Sequence, residues 1–196
     1  TSALEYLHGM QNNIIGMHIA NEHFERPNLS FMYRDDEGLP RGYLLAYEGE
    51  NGNLPEVYLA DLASDKSKRG RFAGGHLIKR FFETYVENYG KRGQEYVPIA
   101  MEARSQTSYK ILNRQLSRLA DKAGVQVEME TIYEEKRGPD TFYHVRIYVE
   151  KDQDKLEAQK EKYGGLQLNL SGQGDEGYYE DYSDYSDDQD QWDDQW

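Results

Sequence analysis

Cysteine is missing from this 196-residue chain, so disulfides and thiolate-ligated metals are excluded. The lack also fits a reducing compartment, and a cytoplasmic location is expected. No apolar run approaches the length of a membrane span, and no segment reads as a secretory signal, so no membrane association is expected. The chain opens on Thr1, which implies an initiator methionine or further residues upstream. Basic residues are absent from one long stretch. Between Asp175 and Trp196 there are ten acids and neither Lys nor Arg. Those ten account for most of the net charge of −13, and the remaining 26 acids against 23 bases leave residues 1–174 at −3. Such a nearly neutral, slightly acidic body makes nucleic acid an unexpected partner, despite a short basic run from Lys66 to Arg71.

The stretch 171-SGQGDEGYYEDYSDYSDDQDQWDDQW-196 also lacks aliphatic residues. Its like charges repel, and it has too little apolar surface to offset the entropy of ordering. Residues 166–196 are therefore expected to form a disordered acidic tail containing aromatics, and residues 1–165 a single domain with its core in 30–149.

Within that core the hydrophobic pattern alternates between the periods of strands and helices. The runs 30-SFMYR-34 and 42-GYLLAYE-48 flank the turn-rich 35-DDEGLP-40 and read as a hairpin, and 56-EVYLADLA-63 reads as a third strand. Leu77, Ile78, Phe81, Phe82, Tyr85, Val86 and Tyr89 recur at helical spacing, with Gly90 as the stop. The run 96-YVPIAMEA-103 reads as a buried strand. Ile111, Leu112, Leu116 and Leu119 mark a second helix stopped by Gly124, and 125-VQVEMETIY-133 with 141-TFYHVRIYV-149 reads as a closing hairpin around 136-KRGPD-140. One or two helices are expected before residue 30, and a short charged helix within 150–165. The expected fold class is α/β, with a mixed, largely antiparallel sheet flanked by helices.

The segment 69-RGRFAGGH-76 lies between a strand and a helix. Helix-opening amides without intrahelical partners, glycines that permit close backbone approach and two arginines together suit a phosphate or pyrophosphate. A tight strand-to-helix turn is the competing reading. The P-loop pattern does not fit, because no Gly-Lys-Ser/Thr closes the segment, and neither does the three-glycine dinucleotide pattern.

What the segment resembles is the acyl-CoA-binding motif of the GCN5-related N-acetyltransferases, Arg/Gln-x-x-Gly-x-Gly/Ala followed by aliphatics. Arg69 takes the first place, Gly74 the last, Leu77 and Ile78 follow, and Phe72 stands where the pattern has its first glycine. The element order over residues 30–149 is also similar to that family's. The resemblance implies an enzyme that transfers an acetyl group from acetyl-CoA to a primary amine within a ternary complex. It implies a coenzyme site at Leu62, Ala63, Arg69, Gly70, Arg71, Phe72, Ala73, Gly74, Gly75, His76 and Ser105. Of these, Leu62 and Ala63 would line the pantetheine arm, and Ser105 would stand in for a family asparagine. For the base it offers Glu56, by family position, or Asp61, a carboxylate in an apolar run. The competing readings are a solvated strand end for Glu56 and a bulge or sheet rim for Asp61. For the acid it offers Tyr109, which competes with a packing role. The acceptor is expected to be cationic. A second function class is a non-catalytic domain of this fold whose acidic aromatic tail engages a basic partner or mimics nucleic acid. His8, His18, His23, His76 and His144 show no metal-binding spacing.

Overall fold

The computed structural model describes residues 29–65, 73–90 and 95–168. Six strands form one sheet in the order β1-β2-β3-β4-β6-β5, comprising β1 (Phe31–Arg34), β2 (Pro40–Asn51), β3 (Leu54–Ser64), β4 (Ile99–Ala103), β5 (Gln126–Arg137) and β6 (Asp140–Glu150). Every neighbouring pair is antiparallel except β3–β4. Among the described residues three helices accompany the sheet: α1 (Ala73–Gly90), α2 (Gln106–Ala123) and α3 (Gln153–Tyr163). The α/β class, both hairpins and the charged C-terminal helix therefore stand as expected. The helices expected before residue 30 lie outside the described residues, as does the segment from residue 169 onward.

Strand alternation sorts the sheet into two faces. Leu44, Val57, Leu59, Ile99, Met101, Val145 and Ile147 point to the face covered by α1 and α2, where they pack against Leu77, Phe81, Phe82, Leu112 and Leu116. The opposite face carries the polar members of the same strands, and α3 covers part of it through Leu156 and Tyr163.

Several boundaries differ from the sequence reading. Helix α1 begins four residues before Leu77, and Gly90 is its last helical residue. A Cβ on Gly90 would run into the Tyr96 hydroxyl, so glycine is needed there for close approach. Gly124, by contrast, does cap α2 in the left-handed conformation at φ 70°. Helix α2 starts five residues before Ile111 because the Ser105 hydroxyl accepts from the Ser108 amide at 3.0 Å. The packed body also runs past residue 165. Leu166 packs with the Tyr148–Leu156–Tyr163 cluster, and the Gln167 carbonyl accepts from Asn51 Nδ2 at 2.6 Å.

Candidate functional site

The parallel contact between β3 and β4 is short. Val57, Tyr58 and Leu59 pair with Ile99, Ala100 and Met101, and there the pairing ends. Both strands continue. β3 stays paired to β2 as far as Ser64 opposite Gly42, and β4 stays paired to β6 as far as Ala103 opposite Tyr143. Each strand is thus held by its outer neighbour while the two part from one another. A wedge opens between residues 60–64 and residues 102–103, and on its β3 side no strand of the described residues pairs with the backbone. The divergence has a local cause. Leu45 pairs with Asp61 and Ala46 with Leu59, so Ala60 is an extra residue in β3, and such a bulge bends its strand.

Helix α1 begins at the open end of the wedge. Gly42 shows how closely it is seated, since a Cβ there would lie 2.9 Å from the Ala63 carbonyl oxygen and 3.1 Å from Ala73 Cβ. The first turn therefore abuts the end of β3. It carries no acid, and none of the described residues lies within 4 Å of a Cβ placed on Gly74. Beyond β3 the chain is pinned at Asp65, whose carboxylate meets Arg41 at 2.6 Å, while Arg41 also meets Asp35 at 2.8 Å. The guanidinium holds Asp35 below the usual carboxylate range, and the two acids raise Arg41.

Ala73, Gly74, Gly75 and His76 lie in this first turn, and Leu62 and Ala63 line the β3 side of the wedge. Leu62 is 39% exposed on the helical face, an unusual position for a leucine in a strand. His76 stacks on Tyr33 with ring centroids 5.2 Å apart, and burial together with Lys79 lowers its pKa. Ser105 sits at the exit of β4 as the α2 cap. Arg69, Gly70, Arg71 and Phe72 lie outside the described residues.

The three residues named for acid–base chemistry are scattered. Glu56 lies at the closed end of the sheet and is wholly buried, which corrects the solvated strand end. Arg146 Nε meets it at 3.2 Å and Asn51 Nδ2 donates to it at 2.9 Å. Arg146, equally buried, also donates to the carbonyls of Tyr163 and Leu166 at 3.1 and 3.0 Å. Glu56 and Arg146 thus form a closed ion pair beneath the segment that follows α3. Burial and the Glu56 carboxylate push the neighbouring Tyr58 and Tyr163 phenols up to about 12. Asp61 is next to the bulge on the polar face, where the Tyr43 hydroxyl donates to it at 2.7 Å. Tyr109, one turn into α2, packs against the core, its ring 5.8 Å from that of Tyr143.

A fourth group was not anticipated. Glu102 stands one residue past the last β3–β4 pair, on the polar face, directly opposite His144 of β6. His144 Nε2 is 3.0 Å from Glu135 and 3.5 Å from Glu102, and Tyr133 stacks on its ring at 3.9 Å. Arg137 donates to both Glu102 oxygens at 3.1 and 3.3 Å and to Glu135 at 2.6 Å. Hydrogen bonding to Arg137 is the main reason the Glu135 carboxyl falls to about 2. Glu102, Glu135 and His144 bring metal-ligand atoms within 4.8 Å of one another. The Arg137 guanidinium, however, already supplies positive charge to both carboxylates. A sequence signal was present. Glu102 is the one charge in 96-YVPIAMEA-103, and His144 shares its face with Arg146 by simple alternation.

A short parallel pair opening into a wedge, with a helix starting at its mouth and an antiparallel hairpin closing the sheet, is the arrangement that the resemblance to the GCN5-related N-acetyltransferases implies. No family model and no curated protein matches the sequence. Among solved structures it is similar to Arabidopsis thaliana Naa50 in complex with a bisubstrate analogue, at 14% identity and a TM-score of 0.44, over 73% of this chain and 90% of that one. It is also similar to Chaetomium thermophilum Naa20 in complex with a bisubstrate analogue, at 12% identity and a TM-score of 0.44, over 72% and 80% of the two chains. A Bacillus subtilis acetyltransferase in complex with CoA shows 14% identity and a TM-score of 0.40, over 72% and 90%.

Proposed function

We propose that the protein transfers an acetyl group from acetyl-CoA to a primary amine, with coenzyme bound in the β3–β4 wedge. The observation that carries this reading is that β3 and β4 pair over three residues and then part, with the α1 N-terminus at the open end. A pantetheine arm carries amides that pair with an exposed strand edge, as a further strand would. Its pyrophosphate suits the opening turn of α1, where amides without intrahelical acceptors and the helix dipole favour an anion. Glycine at position 74 leaves room for it.

The acceptor nitrogen attacks the thioester carbon, the C–S bond breaks, and the coenzyme leaves as a thiolate. The bulged stretch around Ala60 supplies a main-chain amide to the developing oxyanion. Asp61 takes the proton lost by the amine, directly or through water, because it lies beside the bulge and Glu56 is closed off with Arg146. Tyr109 returns a proton to the thiolate. The acceptor approaches the polar face, where the Asp61 carboxylate flanks the wedge and suits a cationic amine.

Thermal unfolding with acetyl-CoA tests the reading. Coenzyme at about a hundred times its dissociation constant adds about 2.7 kcal/mol. Gly74→Trp should remove that gain while leaving the apo protein folded, since none of the described residues lies within 4 Å of a Cβ at that position. Absence of any shift in the wild type refutes coenzyme binding. Asp61→Asn should lower kcat by about 100-fold or more, while a variant that binds acetyl-CoA and keeps full kcat removes Asp61 from the role.

A further inference from the structure

Arg41 and Gly42 are consecutive in β2, and they meet the two ends of the link between β3 and α1. At Gly42 a Cβ would lie 3.1 Å from that of Ala73, the first residue of α1. Arg41 holds Asp65, the residue that follows β3, in two ways. Its carbonyl accepts from the Asp65 amide at 2.6 Å, and its Nη1 donates to the Asp65 carboxylate at 2.6 Å. The same guanidinium donates through Nε to Asp35 Oδ2 at 2.8 Å. Asp35 in turn shapes the β1–β2 turn, its Oδ1 accepting from the Glu37 and Leu39 amides at 3.0 and 2.9 Å. One arginine thus ties the β1–β2 turn to the exit of β3.

The β2–β3 hairpin does not need this tie. Its pairing is complete from Asn51 opposite Leu54 to Gly42 opposite Ser64, and Arg41 meets Asp65 one step beyond. Both residues are buried. Taking two charges out of water offsets most of their attraction, so a buried pair adds little net stability. What the guanidinium does fix is geometry, because its planar fork holds acceptors in set directions.

We propose that Arg41 is a positioning residue for the pyrophosphate of the coenzyme. The proposal rests on the reading of the β3–β4 wedge as an acetyl-CoA site. Main-chain amides bind an anion well only if they are held in place before it arrives. Here the chain leaves β3 at a point set by Arg41 and enters α1 at a point set by Gly42, so one dipeptide of β2 fixes both ends of the link that leads into the opening turn. Arg41 also supplies counter-charge to Asp65, the one acid between Ser64 and Ala73, which would otherwise oppose an anion at that turn.

The test uses the full-length protein, with acetyl-CoA as the probe. Arg41→Gln should raise the acetyl-CoA dissociation constant, read by calorimetry, by about 10- to 100-fold, the worth of a hydrogen bond to a charged group. Asp65→Ala leaves the Arg41–Asp35 pair in place and should act the same way; it decides the matter alone if the Arg41 variant does not fold. At saturating acetyl-CoA, where occupancy no longer matters, phosphorus NMR should show the bound pyrophosphate resonances moved towards their free positions. The methyl proton signals of the pantetheine arm should keep their wild-type bound values. A dissociation constant within about twofold of wild type in both variants overturns the proposal. So does weaker binding with the pyrophosphate resonances unmoved, or with pyrophosphate and pantetheine signals displaced together, because either outcome makes Arg41 a support of the fold and nothing more. A wild type that binds no acetyl-CoA refutes the coenzyme reading itself, and the positioning role falls with it.

Discussion

Replacing Arg146 by methionine separates the two roles that Glu56 could have. In the wild type the guanidinium meets Glu56 Oε1 at 3.2 Å, and it reaches the carbonyls of Tyr163, Leu166 and Gln167 at 3.1, 3.0 and 3.4 Å. Both partners of the ion pair are fully buried. Methionine fills much of the volume but leaves the Glu56 carboxylate with the neutral Asn51 amide donating to it, and the three carbonyls lose a charged partner. Breaking a buried pair from one side costs about 3–5 kcal/mol, because the remaining charge stays out of water. For a chain of this size that corresponds to a fall in Tm of about 10 °C. The assay is urea unfolding followed by circular dichroism at neutral pH. Pairing Arg146→Met with Glu56→Gln removes the stranded charge, so the double variant should be at least about 1 kcal/mol more stable than the sum of the two single losses implies. A loss below about 1 kcal/mol for the single variant, or strict additivity in the double, refutes the closed ion pair. The same Glu56→Gln protein, assayed below its melting range, should keep kcat if Glu56 only holds the fold.

Three further outcomes follow from the site. Gly42→Val should destabilise by about 1–3 kcal/mol and weaken acetyl-CoA binding, because its side chain meets Ala63, Ala73 and Leu77 and pushes α1 away from the end of β3; unchanged binding by calorimetry contradicts the seating of α1. Glu135→Gln should lower stability at pH 7, and the difference from wild type should close as pH falls. The folded carboxyl titrates near 2 against an ordinary 4.5, so its contribution is complete above 4.5 and lost on the way down to 2. A difference that persists undiminished at pH 2 argues against the Arg137 contact. Ser105→Ala should cost about 1 kcal/mol of stability by removing the α2 cap, read by thermal unfolding.

The order of elements was legible because each run has one clear period. The helical spacing of Leu77, Phe81 and Tyr85 and the alternation of 141-TFYHVRIYV-149 admit one reading each. The wedge was not legible in its own right. It depends on which residue of β3 is the extra one, and Ala60 has no local signature, because a bulge is defined by register against a partner strand. Glu56 and Asp61 looked alike in sequence for the same reason. Only the pairing shows that one sits four residues below the bulge under Arg146 and the other just above it beside Tyr43. The group around Glu102 draws on three strands, β4, β5 and β6, so no spacing within one segment could announce it.

These contrasts meet in β3, whose two ends are held in opposite ways. At its start, parallel pairing with β4, the Glu56–Arg146 pair and the segment after α3 close every side. At its finish, β2 on one side and the Arg41–Asp65 pair are the described anchors, and the side facing β4 is open. A strand clamped at one end and released from β4 at the other keeps the edge that parts from β4 in a fixed place, at little cost in disorder. A ligand that binds by strand-like pairing then meets a preorganised edge, which is where its affinity comes from. Loosening the closed end should therefore weaken coenzyme binding even though Arg146 touches no part of the wedge. In the Arg146→Met protein the acetyl-CoA dissociation constant should rise along with the loss of stability. An unchanged constant means that the wedge is shaped by the Ala60 bulge alone.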